Sequence, residues 1–379
     1  MNLRDSIEAF AGRRYAVALV SVVAVAIAWA IAAALLPNGL PLGVVVLGLV
    51  LGSLEALTAM GLVLIYRANR IINFAQVEMG GLAGVIALLG VIAWHLPYFL
   101  AVVLGLIAAI VTGAVIDLVV VKRFDEAPRL ILTVATIGLL QLLGGIELGL
   151  PSLFKNLRPL TTYHGPLKLT FGIGPVLFHG DDVVALCVVP VVLAALGWFL
   201  YRSDIGIAIR AAADSGERAT LLGIPVRRLS TITWMVAGGL SGLGLILAAP
   251  IKGPNLGVIG GPPLLLAPLA AAVIARMEKL GTAIAASLGI GVFEQVVFWN
   301  YPRSAIVDVA LFAAILVALL LARRTASRGE EGDLGRFAAI HEVRPIAAAV
   351  AGLREVKIAR VALPALAGAV LLALPWLVN

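Results

Sequence analysis

Apolar residues run through this chain in blocks approaching bilayer-spanning length, about 20 residues, broken by short stretches where arginine and turn formers collect. The blocks fall at 16–36, 42–66, 79–96, 98–121, 130–149, 181–201, 229–249, 263–275, 280–299, 303–322 and 359–378. Within them the apolar positions cover every face of a helix, which suits lipid or a helix interior and not a surface helix in water. The pattern predicts an all-α fold, a polytopic transmembrane helical bundle of about 9–11 membrane segments. The block at 263–275 is too short to cross and predicts a half-helix or re-entrant element.

Three polar stretches are long enough to carry work. Residues 150–180 are rich in turn formers (Pro151, Pro159, Gly165, Pro166, Gly172, Gly174, Pro175) and predict an outer loop. Residues 202–228 predict an inner helical loop, and 323–358 an inner linker of mixed charge. One more apolar block, 359–379, stands alone after that linker.

Composition changes the picture only in degree. Hydrophobic residues make up 61% of the chain and charged ones 13%, with a mean hydropathy of +1.08. The 28 Lys and Arg against 21 Asp and Glu would suit a nucleic-acid partner if they formed one patch. Instead they flank the apolar blocks. With Arg4, Arg13 and Arg14 placed in the cytoplasm, only Lys155, Arg158, Lys168, Lys252 and Arg303 fall on the far side. That asymmetry is the positive-inside pattern, and it predicts a plasma or inner-membrane protein with a cytoplasmic N-terminus. Nucleic acid is excluded as a partner and membrane lipid implied. Cys187 is the only cysteine, so there is no disulfide framework. The polar start and the run 16–36 read as a signal anchor without a cleavage site.

The densest chemistry lies in Gly52–Gly84, GSLEALTAMGLVLIYRANRIINFAQVEMGGLAG. Glu55 sits near the centre of a span, and Arg67, Asn69, Arg70, Asn73, Gln76 and Glu78 interrupt the apolar run before it resumes. Asn-Phe-Ala-Gln-Val-Glu is too apolar for a free loop, and polar groups at membrane depth face a cavity or a partner. Broken helices of this kind line translocation pathways. The candidate pathway residues are Glu55, Tyr66, Asn73, Gln76 and Glu78.

This run resembles the signature of the LivH-type permeases, the branched-chain amino acid branch of the ABC importers. Gly52, Ala56, Leu57, Ala59, Gly61, Leu62, Leu64 and Tyr66 fall on its Gly-x-x-x-Ala-Leu-x-Ala-x-Gly-Leu-x-Leu-x-Tyr stretch. Asn73, Phe74, Ala75 and Glu78 fall on the Asn-Phe-Ala-His-Gly-Glu that follows. Gln76 and Val77 replace the usual His-Gly, and Glu55 stands where an aromatic or aliphatic residue is commoner.

Within 202–228, a helix from Ile205 to Leu222 would gather Ile209, Ala212, Ala213, Ala219 and Leu222 opposite Arg210, Asp214, Glu217 and Arg218. Gly223 would end it, with Pro225 beyond. On composition alone a solvated or membrane-surface helix fits equally well. Arg210, Ala211, Ala213, Asp214, Ala219, Leu222, Gly223 and Ile224 match the resembled family's coupling loop, so the resemblance implies that Arg210, Asp214, Glu217, Leu222 and Gly223 engage an ATPase subunit. The small-residue pair Gly238 and Gly242 predicts close helix packing. Ala275-Arg276-Met277-Glu278-Lys279 stands where the family has a Gly-Gly-x-Gly-Ser turn.

Asp117, Glu147, Glu294 and Asp308 lie toward the ends of their spans and read as structural. The four histidines have no ligand spacing. No Gly-x-x-x-x-Gly-Lys-Ser/Thr run and no catalytic constellation occur, so no enzyme activity and no cofactor are expected. The resemblance implies a permease domain over 1–322, a cytoplasmic linker over 323–358 and, at 359–379, the opening helix of a fused LivM-like permease. It implies as partners ABC ATPase subunits, a second, LivM-like permease and an extracytoplasmic solute-binding protein, for branched-chain or related hydrophobic amino acids. An importer of amides, urea or sugars, and an ion-coupled secondary transporter using Glu55, are the alternatives.

Overall fold

The computed structural model describes residues 29, 33, 34, 36–124, 129–154, 165–252 and 262–326. The expected spans 16–36, apart from isolated residues, and 359–378 lie outside them, as does the linker beyond 326. The chain divides into two compact units, Met1–Leu319 and Leu320–Asn379, and the helices below belong to the first apart from the end of the last helix.

Nine of the predicted blocks are helices: α1 (Leu42–Asn69), α2 (Gln76–Ile92), α3 (Tyr98–Val119), α4 (Arg129–Ser152), α5 (Gly180–Arg202), α8 (Val226–Lys252), α9 (Pro262–Ile274), α10 (Leu280–Asn300) and α11 (Ser304–Ala326). Six helical stretches are long and apolar enough to cross a membrane, while Gln76–Ile92, Leu264–Ile274 and Ala305–Val317 are shorter. Packing separates these helices into two kinds. In the most apolar window of α1 and of α8, 67% of residues are buried, against 22–28% in α3, α4, α5 and α10. Thus α1 and α8 are the centre of the bundle.

The outer helices turn their apolar surface away from it. Along α3, Phe99, Val103, Ile107, Val111, Val115 and Leu118 form one exposed stripe at helical spacing. A water-soluble protein rarely carries a continuous apolar strip of that length; in a bilayer it is the natural lipid face. Polar side chains inside the helices close on their own backbone, as Thr112 does on the Ala108 carbonyl at 2.8 Å and Ser287 on Ala283 at 3.0 Å. That leaves neither hydroxyl with an unpaired donor in a medium without water.

Glycine sets the closest approaches. A Cβ on Gly238 would meet the Ala109 carbonyl at 2.5 Å, and Gly242 packs on Ala109 and Ala83. The expected close-packing face of α8 is thus the seam against α3 and α2.

The outer loop expected over 150–180 contains regular structure. β1 (Thr170–Ile173) and β2 (Val176–His179) form a two-stranded antiparallel hairpin with Ile173 opposite Val176, turning through Gly174 at φ +60°. It feeds α5, whose Asp182 accepts the His179 backbone N–H at 2.7 Å.

The inner loop differs from expectation. Instead of one helix over 205–222 there are two, α6 (Asp204–Asp214) and α7 (Gly216–Leu221), with Ser215 extended between them. Ser203 and Ser215 each cap the helix that follows, through Gly206 N–H at 3.0 Å and Arg218 N–H at 3.4 Å. A serine that satisfies orphan N–H groups starts a new helix more readily than it continues an old one.

Candidate functional site

The interruption read from the sequence is physical. α1 ends at Asn69, and Arg70 takes a left-handed conformation (φ 55°) with its N–H returned to the Tyr66 carbonyl at 2.7 Å. Six residues later, at Gln76, α2 begins. Tyr66 is half-buried beneath the Arg70 guanidinium, 5.9 Å from its ring centroid. Arg70 also reaches across the bundle end, donating to the Ala213 carbonyl at the close of α6 at 3.0 Å, with Glu278 at 4.0 Å.

Asn73, Gln76 and Glu78 are almost fully buried. Gln76 donates to the Ala237 carbonyl at 3.0 Å and the Ser241 hydroxyl at 2.6 Å, and accepts from Asn73 at 2.9 Å. The start of α2 is therefore bolted to the middle of α8. Glu78 lies beside Glu147 of α4. The Gln76→Leu variant should lose about 1–3 kcal/mol of stability, since Ser241 and Ala237 would keep buried polar atoms without their partner. A thermal unfolding series in detergent checks this; an unchanged midpoint would show that the bolt carries no load.

Glu55 is in a different place. It lines a cavity of about 450 Å³ between α1, α8, α9, α10 and α11, together with Lys252, Glu294 and Asp308. The Lys252 ammonium is 3.7 Å from Glu55 Oε1. Of the five candidate pathway residues, only Glu55 is on this cavity; Val77, between Gln76 and Glu78, also reaches its wall. Glu294 and Asp308 read as structural in the sequence because each sits toward the end of its own span. The fold brings both to Glu55, and the spacing along one helix carries no trace of that.

At the end of the bundle where α1 stops, Asp117 is fully buried and answered by three groups. Ser230 and Thr231 donate to it at 2.6 Å each, and Lys122 lies at 3.6 Å. Asn69 donates to Ser230 at 3.0 Å and accepts from Trp234 at 3.1 Å. This network ties the ends of α1 and α3 to the start of α8, a packing role in line with the reading of Asp117 as structural.

The residues expected to engage an ATPase share the neighbourhood of α6 and α7 but face different ways. Ile209, Ala213 and Ala219 are buried, as the amphipathic pattern requires. Arg210 turns inward, donating to the Leu200 carbonyl at 2.9 Å and stacking 4.6 Å from the Tyr201 ring centroid. Asp214 is exposed, and the Glu217 side chain lies outside the described ones. Leu222, expected on the buried face, is 80% exposed beside Leu221 at 86%. The break at Ser215 re-aims α7 and carries its last turn outward. Gly223 ends that helix at φ +80°, with Ile224 N–H closing on the Ala219 carbonyl at 3.0 Å.

Comparison with known proteins agrees with this architecture. Residues 44–322 match the family described as branched-chain amino acid transport system / permease component. BraD of Pseudomonas aeruginosa, a high-affinity branched-chain amino acid transport system permease protein, is 27% identical over 291 residues, covering 72% of this chain and 91% of BraD. LivH of Escherichia coli, of the same description, is 25% identical over 302 residues, covering 72% of this chain and 91% of LivH. The solved structure of PsaBC from Streptococcus pneumoniae in complex with Fab aligns over 73% of this chain and 89% of that chain. Its TM-score of 0.39 at 17% identity is too low to carry an argument. The family match spans the interrupted α1–α2 element, the α6–α7 loop and every spanning helix described, so this multi-pass membrane protein belongs to the permease components of branched-chain amino acid transport systems.

Proposed function

We propose that the chain is the translocating subunit of an ATP-driven importer for branched-chain or related hydrophobic amino acids. It works beside a second, LivM-like permease, with separate ATPase subunits in the cytoplasm and a solute-binding protein on the other side. The permease domain would occupy 1–322, with 323–358 a cytoplasmic linker and 359–379 the start of a companion unit. The distribution of Lys and Arg supports a plasma or inner-membrane location with the N-terminus and α6–α7 in the cytoplasm.

The observation that carries the reading is the Arg70 bond to the end of α6. The helix on which an ATPase would push and the break that interrupts the central helix are joined by one side chain. Closure of the ATPases would move α6–α7, and Arg70 would pass that motion to the α1–α2 junction. Since α1 and α2 both contribute to the wall of the cavity, its access would change from one side of the membrane to the other.

Purification of the tagged protein from its native membrane in mild detergent, followed by mass spectrometry, tests the assembly. An ABC-type ATPase should co-purify. The Gly223→Pro variant should lose it while remaining folded, because proline cannot hold φ +80° and removes the N–H that closes on Thr220. A well-folded wild type that repeatedly comes without any ATPase would refute the importer reading.

A further inference from the structure

We propose that the Glu55 cavity recognises the ammonium group of the transported solute, and that the Lys252 ammonium holds that group's place in the structure. The inference rests on the importer reading and names what the pathway binds. Three carboxyls, on Glu55, Glu294 and Asp308, face a single ammonium across a space of about 450 Å³. That volume is in the range of small-molecule sites, about 300–1,000 Å³. Gathering that many ionisable groups inside a membrane bundle is costly, and such groups persist where they face a pathway or a ligand.

Glu55 keeps an acceptor oxygen without a donor. The Glu55 side chain is 10% exposed, and its Oε2 is buried with no hydrogen-bond donor among the described residues. Its Oε1 is 3.7 Å from Lys252, longer than the roughly 2.7–2.9 Å of a charge-assisted hydrogen bond. Lys252 therefore offsets charge without satisfying the carboxylate. An ammonium brings three donors. Placed between Glu55 and Glu294, it can bond both and release Lys252, which sits in the last turn of α8 with its side chain 32% exposed. The freed lysine can then meet a carboxylate on the same solute.

Apart from Thr58 and Gln295, the rest of the wall is apolar. Leu51, Leu54, Leu245, Leu264 and Phe298 offer hydrocarbon contact but no hydrogen bond. The chemistry selected is thus a primary ammonium on an aliphatic body, with an adjacent carboxylate accepted through Lys252. Solutes without an ammonium, such as urea or a hexose, could offer Glu55 only neutral donors, which bind a carboxylate more weakly than charged ones.

The test uses the purified transporter complex without its solute-binding protein, and reads thermal protection by three small molecules sharing one hydrocarbon frame. Leucine and 3-methylbutylamine should protect; 4-methylpentanoate, which lacks the ammonium, should not. Glu55→Gln should raise the concentration needed by about tenfold or more, the value of one charged hydrogen bond. The double variant Glu55→Gln/Lys252→Gln, which removes both charges together, should behave the same way while keeping the wild-type unfolding midpoint. Equal protection by 4-methylpentanoate, or unchanged protection in both variants, overturns the proposal. Leucine uptake by cells carrying the complex is measured in parallel. Uptake without Glu55-dependent protection overturns the ammonium site and leaves the importer reading standing. Amine protection that depends on Glu55, with no leucine uptake, keeps the ammonium site and removes the branched-chain substrate.

Discussion

Gly291→Val should abolish recovery of folded protein, whereas Gly289→Val, two residues away on the same helix, should be tolerated. At 291 the added Cβ would run into the backbone of Gly52 and the carbonyl of Gly48 on α1. The contact is reciprocal, since a Cβ on Gly48 would lie 2.6 Å from Val292 Cα and one on Gly52 2.6 Å from the Ser287 carbonyl. Overpacking that side chains can absorb costs about 1–3 kcal/mol. Here backbone meets backbone and no rotamer can move aside, so the cost should exceed that range and consume much of a stability of about 5–15 kcal/mol. Parting α1 from α10 would also separate Glu55 from Glu294. Gly289, by contrast, has nothing within 4 Å of its Cβ position. Size-exclusion profiles of the tagged variants in detergent are the measurement. A monodisperse Gly291→Val peak with the wild-type melting midpoint would show that α1 and α10 do not meet at this seam.

How far the fold was legible depends on whether its information is local. The apolar blocks are local, and nine of them became helices within a few residues of their expected bounds. The α1–α2 interruption was legible too, because Arg67, Asn69, Arg70 and Asn73 crowd into a run that is otherwise apolar. Where those polar groups go was not. Gln76 finds its partners 161 and 165 positions away on α8, and no pattern within α2 encodes that register. Glu294 and Asp308 show the same limit: two acids that look peripheral along their own helices converge on Glu55 only after α1, α10 and α11 pack. The split of the inner loop could have been read. Ser203 and Ser215 both precede acid-containing helical turns, the local mark of an N-cap, but the apolar periodicity running through Ser215 favoured a single helix. That error hid the outward turn of Leu222.

Replacing Leu221 and Leu222 together by serine should cut recovery of the proposed ATPase partner by about 100-fold or more while leaving the permease as stable as before. Both side chains are at least 80% exposed, so the bundle gains nothing from them, and surface changes of this kind usually shift stability by under about 0.5 kcal/mol. Burying one leucine against a partner is worth about 1.5–3 kcal/mol. Two of them, even with part of the gain offset by ordering the loop, amount to about two decades in affinity. The same two residues are well placed to take up a push. α7 is held in place by the Ser215 cap and by the Gly223 turn, and Ala219 anchors it to the bundle, so under the proposed coupling a force applied at Leu221 and Leu222 would enter an anchored element. From there it would pass to α6 and, through the Arg70 bond to the Ala213 carbonyl, to the end of α1. Quantitative co-purification, read with the melting curve of the same sample, separates the alternatives. If the double variant keeps its ATPase and instead loses binding to anionic vesicles, the pair is a membrane-surface contact, and the force must enter elsewhere on α6–α7.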